Sequence, residues 1–262
     1  MELTFFKYQG TGNDFVIIDN RDGKIAFTKE QVNFLCNRKF GIGADGLMLL
    51  NTKEGYDFEM KYYNADGNES SMCGNGGRCL TQFASDRGIA KDKYKFIAID
   101  GEHDAYFNEG WVYLKMKDVN AIEKYCDSFV LNTGSPHYVK PSIDLGEMNV
   151  YEEGKAIRYS DNFKKNGINV NFVESTAEGR ISVRTYERGV EDETLSCGTG
   201  VTASALVFAR EGIGFNRIDV STLGGELAVE FDRISGTHFE NIWLCGPATY
   251  VFKGVIELKT YV

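Results

Sequence analysis

Two cysteines occupy equivalent places in two similar stretches of this chain: Cys73 in SMCGNGGRC and Cys197 in LSCGTGVTA. Glycine follows each of them, and the residues beyond gain Ala, Leu and Phe, a composition that favours helix over strand. A cysteine at the start of a helix meets free N–H groups and the positive end of the helix dipole. We therefore expect both thiolates to be stabilised, beside backbone donors that can hold an anion such as a carboxylate.

A thiol on each side of one carbon atom would allow proton transfer at both of its faces. If the two helix starts hold one small carboxylate, one thiolate removes the proton from the adjacent carbon and the opposite thiol returns a proton to the other face. This two-base scheme inverts the carbon without a cofactor, and the helix N–H donors stabilise the carbanion. A single cysteine beside a glycine is usually a small buried side chain without a catalytic role. Two cysteines at matching positions of a repeat favour a catalytic role.

The similarity extends beyond the cysteines and indicates an internal duplication. Four landmarks recur in the same order at an offset of 122 to 124 residues: Gly12 with Gly134, Tyr63 with Tyr186, Cys73 with Cys197, and Glu102 with Glu226. This offset is far longer than the period of a solenoid repeat. We predict an N-terminal repeat domain at residues 1–118 and a C-terminal repeat domain at 119–250, with residues 251–262 able to return to the first.

The pattern of apolar residues predicts a fold of the α/β (α+β) class. Alternating segments such as FEMKYY and ISVRTY are rich in aromatic and β-branched residues, as half-buried strands are. One helix is predicted in each copy, ending at Gly88 in the first and at Gly212 in the second. The second helix is apolar nearly all round and should be enclosed. We expect two homologous pseudo-repeat domains, each a curved, mainly antiparallel sheet wrapped on a central helix, with the active site in the cleft between them.

Composition excludes several classes of protein. The chain has 262 residues, a formal charge of −9 and a pI near 5.0, so its field repels nucleic acid. No run of about 18 apolar residues suits a membrane span, and the start lacks a signal sequence. Six scattered cysteines suit a reducing compartment, and the spacing of Cys73 and Cys79, with no His nearby, does not suit zinc. We expect a cytoplasmic protein without a metal.

Taken together, the motifs resemble the diaminopimelate epimerase family over essentially the whole chain. The resemblance rests on six stretches: GTGNDF (10–15), NADG (64–67), MCGNGGRC (72–79), GSPH (134–137), ERG (187–189) and SCGTG (196–200). It implies a PLP-independent isomerase with no cofactor. The implied reaction converts LL-diaminopimelate to meso-diaminopimelate in lysine and peptidoglycan synthesis, with Cys73 and Cys197 as general base and acid.

The resemblance also implies which residues bind the substrate. Backbone N–H groups would hold the reacting carboxylate, from Gly74 and Asn75 at one cysteine and from Gly198 and Thr199 at the other. Polar side chains would hold the distal amino-acid group: Asn13, Asn64, Asn169, Glu187 and Arg188. Arg suits a second carboxylate because it donates two parallel hydrogen bonds. His137 and Glu187 correspond to family residues that tune or orient the thiols.

Two positions depart from the family pattern. Many members have Asn where this chain has Ser135, and some have Gln where this chain has Gly46. Ser can still donate and accept a hydrogen bond, whereas Gly46 offers only its backbone. The resemblance therefore predicts rearranged contacts with the distal group.

Two other functions remain open at this point. The first is a proline or hydroxyproline racemase of the same fold, for which the polar residues of the distal set would have no purpose. The second is a non-catalytic amino-acid-binding protein, against which the two intact cysteine motifs argue. The partner expected in each case is a small molecule, neither nucleic acid nor a membrane is expected, and a homodimer is left open.

Overall fold

The alternating segments of the sequence form strands in the structure, a computed structural model that describes residues 2–258. In Phe58–Asn64, for example, Phe58 and Met60 are buried whereas Glu59 and Lys61 are partly exposed. The chain separates into two units, one of residues 2–114 with 247–258 and one of residues 115–246. No helix within residues 2–258 is long and apolar enough to cross a membrane.

The first unit begins with a strand pair and is rich in short strands. Its helices are α1 (Lys29–Cys36) and α2 (Gly74–Asp86). Its strands up to residue 115 are β1 (Glu2–Gly10), β2 (Asn13–Asp19), β3 (Gly46–Asn51), β4 (Phe58–Asn64), β5 (Glu69–Ser70), β6 (Lys93–Ala98), β7 (Gly101–Asn108) and β8 (Trp111–Lys115).

The second unit repeats this order of elements. Its helices are α3 (Val150–Arg158) and α4 (Gly198–Val207), with a short 3-10 helix at Leu145–Glu147. Its strands are β9 (Glu123–Tyr125), β10 (Ser128–Asn132), β11 (Pro136–Pro141), β12 (Asn169–Ala177), β13 (Arg180–Glu187), β14 (Asp192–Thr194), β15 (Gly214–Thr222), β16 (Gly225–Arg233) and β17 (Phe239–Gly246).

Strand pairing follows the same scheme in both units, as a duplication predicts. Most pairs are antiparallel, but β2 with β3 and β4 with β6 are parallel in the first unit. In the second unit the corresponding pairs, β11 with β12 and β13 with β15, are also parallel. A last strand, β18 (Thr249–Glu257), pairs antiparallel with β1, just as β9 pairs with β10. Residues 259–262 of the segment predicted to return lie outside the described residues.

Helices cover both faces of the first sheet, which explains its apolar strands. Val16 and Ile18 of β2 pack in one cluster with Val32 of α1, whereas Phe15 lies on the other side against Gly76 of α2. A strand buried on both faces reads as a continuous apolar run. In the second unit nearly all of α4 is buried, as its all-round apolar sequence predicts.

Two expectations about helices were wrong. Each unit has a second helix, α1 or α3, where one helix per copy was expected; α1 begins at a capping box formed by Thr28 and Gln31. The helix α2 ends at Asp86, and Gly88 follows with a positive φ of 91° in the expected C-terminal cap position. In contrast, α4 ends at Val207, well before Gly212. The last buried residue of α4 is Leu206, and Gly212 lies beyond the helix in the segment that leads into β15.

Candidate active site

Cys73 caps the start of α2 with its backbone rather than with its side chain. Its backbone is extended (φ −97°, ψ 134°), and its thiol makes no capping hydrogen bond. Its carbonyl accepts the first helical bond from Gly77 N–H at 2.7 Å. The Sγ atom lies 3.6 Å from Asn13 Oδ1. The thiol therefore stands at the N–H end of the helix, as predicted, with an amide oxygen as its neighbour.

Cys197 has the same position at the start of α4. Its backbone is again extended (φ −110°, ψ 109°) without a side-chain cap, and its carbonyl accepts from Val201 N–H at 2.8 Å. Its Sγ lies 3.5 Å from Thr199 Oγ1, and the residue is 7% exposed. The two units thus carry thiols with matching local geometry, one beside an amide and the other beside a hydroxyl group.

A fully buried arginine lies beneath the start of α2. Arg78 donates to Asn75 Oδ1 at 3.0 Å and to the carbonyl of Gly74 at 3.3 Å, and Asn75 in turn donates to Asn13 Oδ1 at 3.3 Å. Its positive charge adds to that of the helix N-terminus, which favours an anion beside Cys73. Arg78 was missed as a candidate, although an arginine between glycine and cysteine in the stretch SMCGNGGRC was a visible signal.

A chain of charged groups fixes the amide of Asn13. Its Nδ2 donates to Asp45 Oδ2 at 2.6 Å, so its Oδ1 is the atom that faces Cys73. Arg38 binds Asp45 at 2.8 Å and Asp14 at 2.6 Å, and Lys7 binds Asp14 at 2.8 Å. Burial alone raises the pKa of Asp14, but hydrogen bonds from Arg38 and Lys7 outweigh it and lower the pKa to about 2. The anchor is therefore an ionised network.

Asn64 and Gly46 face each other at the end of the β3–β4 ladder. Asn64 is exposed and opens a turn in which its carbonyl accepts from Gly67 N–H at 2.9 Å. A Cβ on Gly46 would lie 2.5 Å from the Tyr62 ring and 2.7 Å from the carbonyl oxygen of Tyr63. No side chain fits at Gly46, because Tyr62 occupies the space that a glutamine would need.

Ser135 joins two of the predicted substrate-binding residues in the second unit. Its Oγ lies 2.9 Å from Asn169 Nδ2 and 3.2 Å from Arg188 Nη2. Asn169 also accepts from the backbone N–H of Arg188 at 2.9 Å, and Arg188 reaches the carbonyl of Asn166 at 3.1 Å. The serine that replaces the family's asparagine thus connects the two residues. Glu187 precedes Arg188 in sequence, but its carboxylate accepts a hydrogen bond from Thr194 Oγ1 at 2.9 Å.

His137 is completely buried and neutral. Burial and the positive charge of Arg188 lower its pKa to about 3, against a smaller raising effect from Asn171. Asn171 Nδ2 lies 3.1 Å from His137 Nδ1, and since an amide nitrogen only donates, Nδ1 accepts and the ring proton is on Nε2. Any effect of His137 on a thiol must therefore come from a neutral ring.

Asn171 is a buried residue that the sequence analysis missed. Besides His137, it binds the carbonyl of Tyr138 at 3.1 Å and Thr185 Oγ1 at 3.0 Å. A Cβ on Gly200 would lie only 2.2 Å from its Oδ1. The last glycine of SCGTG is therefore required for close packing of the Asn171 amide against α4.

The structure brings the predicted residues together in small groups. In the first unit Cys73, Asn13 and Asn75 are in contact, while Asn64 opens the turn between β4 and β5. In the second unit Asn169 and Arg188 are in contact, and Cys197 contacts Thr199. Within residues 2–258, no group of three or more His, Cys, Asp or Glu side chains has an arrangement that could hold a metal ion.

Comparison with known proteins shows to which family this chain belongs. The family model for diaminopimelate epimerase matches residues 5–106 and 129–251. The chain belongs to the diaminopimelate epimerase family. Its relatives include the diaminopimelate epimerases of Flavobacterium psychrophilum, 49% identical over 97% of this chain and 100% of that protein, and of Chlorobaculum tepidum, 43% identical over 95% and 99%.

More distant solved structures share the fold. A phenazine biosynthesis protein of the PhzF family from Bacillus anthracis matches with a TM-score of 0.79 at 14% identity, covering 98% of this chain and 100% of that one. A probable proline racemase from Agrobacterium radiobacter K84 matches with a TM-score of 0.68 at 15% identity, covering 99% and 94%. The α/β pseudo-repeat fold expected from the sequence is confirmed by these matches.

Proposed function

We propose that this chain converts LL-diaminopimelate to meso-diaminopimelate by a two-base mechanism, with Cys73 and Cys197 as general base and general acid. The observation that carries the proposal is that both thiols stand at matching helix starts of a duplicated fold, in a chain of the diaminopimelate epimerase family. Family membership indicates the substrate, and the position of both cysteines at helix starts indicates the proton-transfer chemistry.

The proposed reaction is a proton exchange at one α-carbon. One thiolate removes the α-proton, which leaves a carbanion, and the other thiol donates a proton to the opposite face. After one turnover the two sulfur atoms have exchanged protonation states, so the reverse reaction uses them in the opposite roles. The active form therefore has one of the two thiols ionised and the other protonated. The proposal needs neither PLP nor a metal.

The carbanion requires stabilisation by donors around the reacting carboxylate. We assign this role to the first-turn N–H groups of Gly74 and Asn75 in α2, and of Gly198 and Thr199 in α4. First-turn N–H groups have no carbonyl partner inside their own helix. The buried charge of Arg78, itself a residue of α2, supports the same function.

The distal amino-acid group distinguishes diaminopimelate from proline, which has none. We assign the distal carboxylate to Arg188, whose guanidinium is held by Ser135 and Asn166. Asn169, Glu187, Asn64 and Asn13 complete the proposed binding set, and His137 with Glu187 orients the thiols. A proline racemase would have no use for Arg188, so we favour diaminopimelate over proline as the substrate.

Proton exchange followed by NMR tests the proposal. The enzyme is incubated with reductant and LL-diaminopimelate in deuterium oxide, without added metal or PLP. We expect loss of one α-proton signal together with formation of the meso isomer, and no exchange with L-proline. Exchange of proline in place of diaminopimelate would refute the substrate assignment.

Single replacements of the two cysteines test the mechanism. Cys73→Ala and Cys197→Ala should each abolish epimerisation, since each removes one of the two bases. Cys79→Ala serves as the matched control, because Cys79 lies on the same helix as a buried thiol whose pKa is raised to about 12 by burial. Full epimerase activity in either Cys73→Ala or Cys197→Ala would refute the two-base mechanism.

We further propose that residues 1–118 and 119–250 are copies of one ancestral domain, that the enzyme works in the cytoplasm, and that it forms a homodimer. The cytoplasmic location rests on six free cysteines.

The homodimer rests on exposed apolar side chains along β18: Tyr250, Val251, Phe252 and Val255. Light scattering after size exclusion would measure the mass, and a Val255→Lys monomer would support this surface; a monomeric wild-type chain would refute it.

A further inference from the structure

A repeated dipeptide has no role in the proposed active site. Gly101-Glu102 and Gly225-Glu226 recur at the same offset as the two cysteines. In the structure they begin β7 and β16, the second strands of the hairpins β6–β7 and β15–β16. The residues that turn these hairpins are 99–100 in the first unit and 223–224 in the second. Each turn contacts the segment that leads into a proposed catalytic cysteine.

The two contacts are equivalent in place and different in chemistry. In the first unit Met72 N–H donates to the carboxylate oxygen Oδ1 of Asp100 at 3.1 Å, and Met72 immediately precedes Cys73. In the second unit Gly224 N–H donates to the carbonyl of Leu195 at 2.9 Å, two residues before Cys197. The second hairpin uses only main-chain atoms, whereas the first depends on one side chain.

Asp100 is itself held by a buried histidine. His103 Nε2 lies 3.2 Å from the same Oδ1 atom, with 7% of the His103 side chain exposed. The imidazole stacks on Phe96 with ring centroids 5.3 Å apart. Burial alone raises the pKa of Asp100, but the hydrogen bonds from His103 and from Met72 N–H outweigh it and lower the pKa. Asp100 therefore accepts both bonds as a carboxylate.

Met72 is also fixed through its side chain. Its Sδ lies 3.0 Å from the point where a Cβ on Gly77 would stand, so the thioether packs directly on the first turn of α2. Gly77 N–H is the donor to the carbonyl of Cys73 at 2.7 Å. The residue before Cys73 is thus restrained at its N–H group and at its sulfur atom.

We propose that Asp100, supported by His103, is a positioning residue that holds the Met72–Cys73 segment so that the Cys73 thiol stays at the N–H end of α2. This inference rests on the proposed role of Cys73. Asp100 acts through the main chain, without contact to substrate. Loss of its acceptor would let the segment relax, and the thiolate of Cys73 would lose part of the stabilisation that the helix start provides. The equivalent contact in the second unit, from Gly224 N–H to the Leu195 carbonyl, is made by main-chain atoms, so we expect Cys197 not to respond to a change at Asp100.

The alkylation rate of each cysteine measures the reactivity of its thiol directly, and the measurement does not require catalytic turnover. The protein is exposed to iodoacetamide at pH 7 for set times, digested with trypsin and measured by mass spectrometry. Trypsin releases Cys73 in the peptide 62–78 and Cys197 in the peptide 189–210, and each is the single cysteine of its peptide. In Asp100→Ala we expect Cys73 to react about threefold more slowly, with Cys197 unchanged. We expect kcat to fall about 10- to 100-fold, with KM changed much less.

Conservative and control variants separate the hydrogen bond from general damage. Asp100→Asn keeps the acceptor oxygen and should restore most of kcat and of the Cys73 rate. His103→Phe keeps the stacked ring and loses the bond, so it should resemble Asp100→Ala, whereas His103→Gln should resemble the wild type. Asp57→Ala is the matched control, because Asp57 accepts from Lys95 N–H at 2.8 Å and pairs with Lys91 in the same unit. It should leave both alkylation rates within about twofold of the wild type.

The outcomes distinguish this inference from the proposed function. If Asp100→Ala slows both cysteines equally or neither, or if Asp100→Asn is as impaired as Asp100→Ala, the positioning role is refuted. If Asp100→Ala does not fold, the two His103 variants decide, and equal Cys73 rates in them refute the role. If the wild type fails to epimerise diaminopimelate while Asp100→Ala still slows Cys73 selectively, the positioning role stands and the proposed function falls.

Discussion

Replacing Gly200 with alanine should destabilise the protein through one buried amide. The new Cβ would lie 2.2 Å from Asn171 Oδ1, about 1 Å inside the usual contact distance. Asn171 must then move away from Thr185, Tyr138 and His137, to which it is bonded at 3.0 to 3.1 Å. Loss of two of these three buried bonds costs about 1–3 kcal/mol each; less about 1 kcal/mol for the helix propensity of alanine, the net cost is about 3 kcal/mol.

The equivalent residue of the other unit provides the control. A Cβ on Gly76 would lie 3.3 Å from the flexible Met48 Sδ and, at ordinary contact distance, 3.5 Å from Met60 Cε and Phe15 Cε1, so Gly76→Ala should stay within about 1 kcal/mol of the wild type. By calorimetry, Gly200→Ala should lower Tm by about 6–12 °C. Asn171→Ala should relieve the clash, so the double variant should melt no lower than Asn171→Ala alone. Equal melting of Gly200→Ala and Gly76→Ala would refute the reasoning.

Three further predictions concern the site and its surroundings. The pKa of His137 is about 3 in the folded chain, so as the pH falls from about 6.5 toward 3 only the unfolded state binds a proton at this residue. The free energy of unfolding is therefore unaffected by His137 above pH 6.5 and falls by about 1.4 kcal/mol per pH unit below it. Urea unfolding of His137→Asn between pH 7 and 5 should lack this one-proton slope, and an unchanged slope would contradict it. Arg188→Lys loses the planar fork held by Ser135, so KM for diaminopimelate should rise about tenfold with a smaller effect on kcat; steady-state kinetics with an unchanged KM would remove Arg188 from the binding set. Gly46→Ala puts a methyl group 2.5 Å from the Tyr62 ring and should cost about 1–3 kcal/mol, which a melting curve equal to that of the wild type would disprove.

The helix starts at Cys73 and Cys197 could be predicted because helix capping depends on neighbours in sequence. Glycines after each cysteine and the matching offset marked both starts without any knowledge of tertiary structure. The end of α4 could not be predicted in this way, because Gly212, the glycine that marked it in the sequence, lies beyond the last helical residue, Val207. The helix α1 was missed even though Thr28 and Gln31 carried a capping signal.

The side chains that hold the site were beyond sequence reasoning because their partners are distant along the chain. Asn13 and Asp45 are 32 residues apart, and His137 and Asn171 are 34 apart. Both contacts depend on the register of a parallel strand pair, β2 with β3 and β11 with β12. Neither the spacing nor the residue types fix that register, so an aspartate and an asparagine outside the motifs carried no visible signal.

The pairing of β18 with β1 has a consequence for biosynthesis. The two strands are separated by about 240 residues, which a ribosome adds in about 12 to 50 s at ordinary rates. During that time β1 has no β18 to cover its edge, whereas residues 115–246 become available as one continuous segment. The unit that carries Cys73 is therefore the first to be synthesised and the last to be completed. A chain that stops before Thr249 would leave the edge of β1 open to other strands.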